Sequence, residues 1–253
     1  MIAATFFSGS GLGDQLHRYI TMRTLAEEKG YEWGIVHPEN FKGTSFMNLD
    51  MGKPINLLNP IEWNEKDVRD SQGTDIRSYD PEINFVQDYT IIDGYFEDSK
   101  YWGHNLHNID EWLKVEPIEV PDDVCVIGFR GGEFYTDPNL GLPKEYYYDA
   151  MREMTRAGID KFEIHTDDVD MARRWFPYEC IQDIGINWRS MRHAKHAIIA
   201  NSAFYILPRL LQHYEADSWA GRSALTIAPR YWARRNTKTW ARPACYYKQF
   251  QYV

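Results

Sequence analysis

Apolar and polar positions along this chain change rhythm near residue 120. Residues 2–7 form a β-rich run, residues 8–13 read SGSGLG, and beyond them Leu16, Tyr19, Ile20, Leu25 and Ala26 recur on one helical face. The pattern predicts a strand, a glycine loop and a helix that Gly30 ends, followed by a second strand over 31–36. From 38 to 89 the text is polar with short apolar islands such as 55–58, and the pattern assigns no more than one or two short strands there. A further strand is expected over 90–93, and Ser99 is placed to cap a helix running to about 114. Residues 115–123, VEPIEVPDD, carry two prolines and four acids and read as a linker, which divides the chain into domains 1–118 and 119–253.

Beyond the linker the alternation is regular. Expected strands over 124–130, 162–166, 180–184, 197–200 and 224–228 interleave with expected helices over 144–157, 168–176, 187–196 and 202–214. Strands that alternate with helices of this length imply right-handed βαβ units and a parallel sheet, so the fold class is α/β. The first of these strands, within VCVIGFRGGEF (124–134), is a continuous apolar run, as expected of a strand buried on both faces.

Ligands bind beyond the carboxyl ends of such strands. Arg130 stands at one end as a fixed forked cation suited to phosphate, and Gly131 and Gly132 allow close backbone approach. Asp167 and Asp168 follow the next strand, and Asn201 and Ser202 lie at a helix N-terminus after another. All these strand ends point the same way, so their loops converge. Recognition of a diphosphate fits this set: Arg130 pairs with phosphate oxygens, Ser202 and its helix N–H groups add hydrogen bonds, and an acid accepts from ribose or base. Each feature also has an ordinary explanation, a surface ion pair for Arg130 and helix caps for Asn201-Ser202 and Asp167-Asp168.

Composition narrows the classes. A formal charge of −9 argues against a general nucleic-acid or membrane-surface protein. The three cysteines, Cys125, Cys180 and Cys245, are widely spaced and suit a reducing cytoplasm better than a disulfide framework. The histidines form no HExxH pair, Asp167-Asp168 has no evident third metal ligand, and GxSxG, Walker A and CxxC motifs are absent. Gly9, Gly11 and Gly13 do not make GxGxxG, so a dinucleotide fingerprint is not supported. No apolar window of transmembrane length and no signal peptide is read.

Five segments, in order, resemble glycosyltransferase family 11, the α-1,2-fucosyltransferases that use GDP-fucose. Residues 11–16, GLGDQL, resemble its GLGNQ motif, and residues 94–101, GYFEDSKY, its GYWQSEKY stretch. Thr166-Asp167-Asp168 is similar to its SDD, residues 198–204 to IIANSSF, and residues 227–232 to IAPKKW. The resemblance implies a GT-B architecture, two Rossmann-like domains facing across a cleft, the first smaller and irregular. It implies a donor domain at 119–253, an acceptor side at 1–118, and an inverting transfer that requires neither metal nor cofactor.

On this reading Arg130 matches the first arginine of the family's HxRRxDY motif and stabilises the leaving diphosphate. Gly11 and Gly13 join the donor site, Gln15, Tyr95 and Glu97 lie on the acceptor side, and Asn187 falls where the family carries an acid for the guanine edge. The general base is open among Asp14, Glu133 and Glu97. The chain departs from the motif at Gly128, Gly131 and Glu133, which stand for its histidine, second arginine and aspartate. The partners implied are a nucleotide-sugar donor and a glycan acceptor, with no nucleic acid and no integral membrane association, in a cytoplasmic enzyme of bacterial or viral type. Two alternatives stay open, a related transferase with another nucleotide sugar and a catalytically silent nucleotide- or glycan-binding protein.

Overall fold

A computed structural model of the chain describes residues 1–66, 68–69, 75–76, 79–218, 224–235, 239–241, 243 and 245–253. The chain divides into two compact units, Met1–Lys114 and Val115–Val253. Each is a Rossmann-like α/β unit built on its own parallel sheet, and the first is the smaller and less regular.

The first unit opens with β1 (Ile2–Thr5), α1 (Leu12–Lys29) and β2 (Trp33–Val36). Next come β3 (Ile61–Asn64), the antiparallel pair β4 (Val68–Arg69) and β5 (Asp75–Ile76), β6 (Thr90–Asp93) and α2 (Leu106–Trp112). The sheet runs β2-β1-β6-β3 with every pair parallel. Ile2, Ala3 and Ala4 are fully buried, as the central place of β1 requires. The apolar stripe of α1 supplies the covering layer through Leu16, Tyr19 and Ile20, also fully buried. Gly30, at φ 66°, ends that helix in the left-handed conformation glycine adopts without strain.

The stretch 38–89 lies partly outside the described residues, at 67, 70–74 and 77–78. The helix expected from Ser99 is corrected. Asp98, not Ser99, provides the cap, its carboxylate accepting from the Lys100 N–H at 3.0 Å. Two 3-10 turns continue from this cap, and α-helix begins only at Leu106. The break falls at Trp102, whose indole is fully buried and donates to the Phe96 carbonyl at 2.9 Å, which holds the chain off a continuous helical path.

The second unit contains β7 (Val124–Phe129), the single turn α3 (Glu133–Thr136), α4 (Lys144–Arg156), β8 (Lys161–Thr166), α5 (Val169–Trp175) and β9 (Cys180–Ile181). Then come α6 (Ile184–His193), β10 (His196–Ile198), α7 (Ala203–Ser218), β11 (Leu225–Ala228), the antiparallel pair β12 (Ala233–Arg235) and β13 (Thr239–Ala241), and β14 (Gln251–Tyr252). The sheet order is β14-β11-β10-β7-β8-β9, parallel throughout. β7 is a middle strand, and residues 125–129 are fully buried or nearly so, the environment its unbroken apolar run predicts. The expected boundaries around α6 move, and one strand lies outside the expected set. The strand read over 180–184 stops at Ile181 because the Asp183 carboxylate accepts from the Ile186 N–H at 2.7 Å and starts α6 there. β14 is a two-residue edge strand, too short to leave a pattern. Among the described residues no helix is long and apolar enough to cross a membrane.

Candidate active site

At the carboxyl ends of β7 and β8 the structure brings four sequence-predicted residues together. Arg130 follows β7 directly, and its side chain is 23% exposed. Its Nη1 lies 2.7 Å from Asp167 Oδ2 and its Nη2 donates to Glu133 Oε1 at 3.2 Å, while the guanidinium sits 4.7 Å from the centre of the Phe134 ring. The two aspartates hold the glycines beyond Arg130. Asp167 Oδ1 accepts from the Gly131 N–H at 2.7 Å, and Asp168 Oδ2 from the Gly132 N–H at 3.1 Å. Asp168 also caps α5 by accepting from the Met171 N–H at 2.9 Å. These backbone donors, that of Met171 first, hold the Asp168 carboxyl below the usual carboxylate range. Gly132 has φ 46° and ψ −119°, a conformation natural only to glycine.

At Gly128 and Gly131, two of the positions where the chain departs from the HxRRxDY pattern it resembles, a larger side chain has no room. A Cβ on Gly131 would stand 2.3 Å from Asp168 Cβ, so no larger residue fits while Asp168 caps α5. A Cβ on Gly128 would stand 2.7 Å from Cε1 of Tyr205, whose ring fills the space beside β7. That tyrosine is buried, and its hydroxyl is 3.3 Å from the His165 carbonyl and 3.5 Å from the Phe129 carbonyl. It therefore ties the ends of β7 and β8 together beneath Arg130. Nothing in the sequence pattern marks Tyr205, since its helical position reads as ordinary core.

Three further predicted residues of this unit lie inward of the cluster. Asn187 is 6% exposed, with Oδ1 at 2.9 Å from His165 Nδ1 and Nδ2 donating to the Thr166 carbonyl at 3.3 Å. On its other side the His165 ring meets Glu163, with Nε2 2.6 Å from Oε1, and this bond holds the Glu163 carboxyl below its ordinary range. The Asn187 amide is thus engaged inside the unit, not presented to a base. Asn201 is 4% exposed, and its amide donates to the carbonyls of Leu140 at 2.8 Å and Trp232 at 2.5 Å, which pins two loops. The Ser202 N–H, expected to face phosphate, donates to the Ala200 carbonyl at 2.9 Å.

The remaining predicted residues belong to the first unit. Gly11 is the N-cap of α1, and a Cβ there would make only ordinary contact, 3.6 Å from Asp14 Oδ2. Asp14 lies in the first turn of α1, half-buried, where a negative charge is stabilised by the helix dipole. The buried Gly13 accepts from His17 Nδ1 at 2.9 Å through its carbonyl. Gln15, read from the sequence as an acceptor-side residue, points inward. It is fully buried, donating to the Asn40 carbonyl at 2.8 Å and accepting from the Lys42 N–H at 3.0 Å, and so clamps the loop beside β1. Tyr95 is 38% exposed and Glu97 half-buried. Among the described residues no group of three or more histidine, cysteine, aspartate or glutamate side chains is placed to hold a metal ion.

The end of β7 thus presents a partly exposed guanidinium whose two carboxylate partners are anchored to different degrees. Glu133 is 79% exposed and can swing away at small cost, whereas Asp167 is also anchored to the Gly131 N–H. An incoming dianion that displaces Glu133 gains a charge-assisted pair without rearranging the sheet.

No family model matches the chain, and no curated protein sequence matches it. Among solved structures it is similar to the E. coli heptosyltransferase WaaC with ADP, at 9% identity over 99% of this chain and 92% of that one, TM-score 0.42. For the same enzyme with ADP-2-deoxy-2-fluoro heptose the identity is 9%, the coverage 100% and 92%, and the TM-score 0.44. NodZ α-1,6-fucosyltransferase co-crystallised with GDP is 12% identical over 83% of this chain and 92% of that one, TM-score 0.43. Values this low transfer no residue's role to this chain.

Proposed function

We propose that this chain is an inverting glycosyltransferase that moves L-fucose from GDP-fucose onto a hydroxyl of a glycan, with the second unit holding the donor. The observation that carries the reading is Arg130, a partly exposed guanidinium at the carboxyl end of a middle strand of a parallel sheet, over a backbone that Asp167 and Asp168 hold in place. The ordered motif resemblance supports the donor class. In the transfer the acceptor oxygen attacks the anomeric carbon from the face opposite the diphosphate, the carbon–diphosphate bond breaks, and the hydroxyl proton passes to a carboxylate. Negative charge accumulates on the departing diphosphate, and there Arg130, released from Glu133, is stabilising. Glu133 serves as the group displaced, which leaves Asp14 and Glu97 as the candidate bases.

One observation favours a second reading, a different nucleotide. The Asn187 amide is hydrogen-bonded to His165 and Thr166, so the residue expected to read guanine is engaged elsewhere. The test is a thermal-shift panel of GDP, UDP, ADP, CMP and GDP-fucose on the intact chain and on Arg130→Ala. A nucleotide at about a hundred times its dissociation constant adds ~2.7 kcal/mol of stability. Shifts with GDP and GDP-fucose alone, lost in the variant, are expected. A larger shift with UDP or ADP moves the donor assignment to that nucleotide, and no shift with any of them overturns the transferase reading in favour of a silent binding protein.

A further inference from the structure

The loop that leaves β6 is held in a conformation its sequence does not favour. Phe96 is fully buried at φ 51°, a left-handed backbone for a bulky residue, which costs on the order of 1 kcal/mol or more. Its surroundings enforce the bend. Glu65 Oε2 accepts from the Tyr95 N–H at 2.7 Å and from the Phe96 N–H at 3.1 Å. The Phe96 ring packs on Trp63 and Tyr101, with centroids 6.1 and 5.2 Å away. The bend leaves the neighbouring Tyr95 with 38% of its surface in solvent.

Next to Tyr95 lies a charge that α1 would not be expected to bury. The Arg18 side chain is 7% exposed. Its Nε donates to Asp93 Oδ1 at 2.9 Å and its Nη1 to Ser10 Oγ at 3.0 Å. The guanidinium carbon is 5.8 Å from the Tyr95 ring centre and 5.2 Å from that of Phe7, which is itself 42% exposed. Asp93 Oδ1 also accepts from the Gly94 N–H at 2.8 Å, so this one oxygen anchors the carboxylate. Among the described residues Asp93 Oδ2 has no hydrogen-bond partner, and the side chain is 40% exposed. Phe7 follows β1 and Asp93 ends β6, so the group stands at the carboxyl ends of two adjacent parallel strands, where α/β sheets place ligands.

A buried ion pair that served only to hold this loop would not require two large rings in water on the same guanidinium. Aromatic faces match the C–H face of a pyranose, a carboxylate with one oxygen available accepts from a sugar hydroxyl, and a buried arginine keeps that carboxylate charged and oriented. We propose that Phe7, Tyr95 and Asp93 form a saccharide subsite in the first unit, with Arg18 as its positioning residue. The role of that saccharide as acceptor rests on the transferase reading, whereas its binding does not.

The test is saturation-transfer NMR on the full chain without nucleotide. The probes are the methyl glycosides of galactose, glucose, mannose and N-acetylglucosamine, with lactose and N-acetyllactosamine. At least one is expected to bind, its ring C–H protons taking up saturation. Tyr95→Ala and Phe7→Ala are each expected to weaken it about tenfold, the loss of one aromatic contact. Asp93→Asn is expected to weaken it as well. Because that change leaves Arg18 buried without its carboxylate, the two replacements at exposed positions are the decisive ones. Binding by none of the probes, or binding indifferent to both aromatic replacements, overturns the subsite. Arg130→Ala is expected to leave saccharide binding unchanged, and Tyr95→Ala to leave the GDP-induced thermal shift unchanged. Loss of the nucleotide shift alone therefore overturns the donor reading and spares the subsite.

Discussion

At the scale of single residues, the second unit fits Arg130 by removing bulk around it. Gly128 and Gly131 stand where the motif that the sequence resembles carries histidine and arginine, and at each a neighbour occupies the space of a larger side chain, Tyr205 in one case and Asp168 in the other. Gly128→Ala tests this directly. Its Cβ would come within 2.9 Å of three Tyr205 ring carbons in a packed sheet layer, so a destabilisation of about 1–3 kcal/mol is expected. In a Tyr205→Ala background the same change should cost less, because the two sites share one volume. Chemical denaturation of the four proteins measures the coupling, and a Gly128→Ala midpoint equal to that of the parent would refute it. The convergence of Arg130, Glu133, Asp167 and Asp168 was legible because strand ends in one parallel sheet must point together. Tyr205 and Arg18 were not, since periodicity gives the face of a helix a side chain occupies but not the atom at its tip. Nor could it show that the amides of Asn187, Asn201 and Gln15 face inward.

At the scale of elements, one residue joins the end of α6 to α7. Arg209 is fully buried, and its Nη1 donates to the Met191 carbonyl at 2.9 Å and the Ala194 carbonyl at 2.6 Å, while Nε donates to Thr226 Oγ1 at 2.9 Å. The last carbonyls of a helix have no partner of their own, and here a side chain from the next helix supplies one. Burial lowers the guanidinium pKa to about 9, an indication of how little water reaches it. Arg209→Met keeps much of the volume but leaves these acceptors buried and unsatisfied, so a loss of about 3 kcal/mol or more is expected from urea unfolding. Arg209→Lys should recover little of it, because an ammonium cannot present the same fork. A midpoint in Arg209→Met close to the parent's would mean that the bonds add little. The alternation that identified the parallel sheet was visible in the sequence, and the boundaries it misplaced lie at caps. Asp183 starts α6 inside what reads as an apolar strand, and Asp98 starts a 3-10 turn where Ser99 looked the better cap. A capping carboxylate depends on where the chain turns, which local pattern does not contain.

At the scale of the whole molecule, each unit carries a buried histidine whose pKa folding lowers to about 4, and both contribute to how the protein responds to acid. His17 in the first unit is fully buried. Its Nδ1 donates to the Gly13 carbonyl at 2.9 Å, its ring meets Trp102 edge-on at 5.7 Å, and burial pushes its pKa down to about 4. His213 in the second unit pairs with Thr226 Oγ1 at 2.9 Å, the same oxygen that accepts from Arg209. Burial first, and then the nearby Arg209 charge, lower its pKa to about 4. In the unfolded chain both rings take up a proton near pH 6.5, whereas in the folded chain they resist until about pH 4. Between those values the unfolded state binds more protons, so stability must fall as pH falls, by about 1.4 kcal/mol per pH unit for each ring once it is protonated in the unfolded chain. Above pH 7 the two rings add no further dependence. Urea midpoints at pH 7.5, 6 and 5 should therefore decline through a range in which most carboxylates have not yet titrated. His17→Gln and His213→Gln are each expected to flatten that decline while lowering the midpoint at pH 7.5, and a slope unchanged in both variants would assign the acid sensitivity to other groups, His196, whose pKa burial also lowers, first among them.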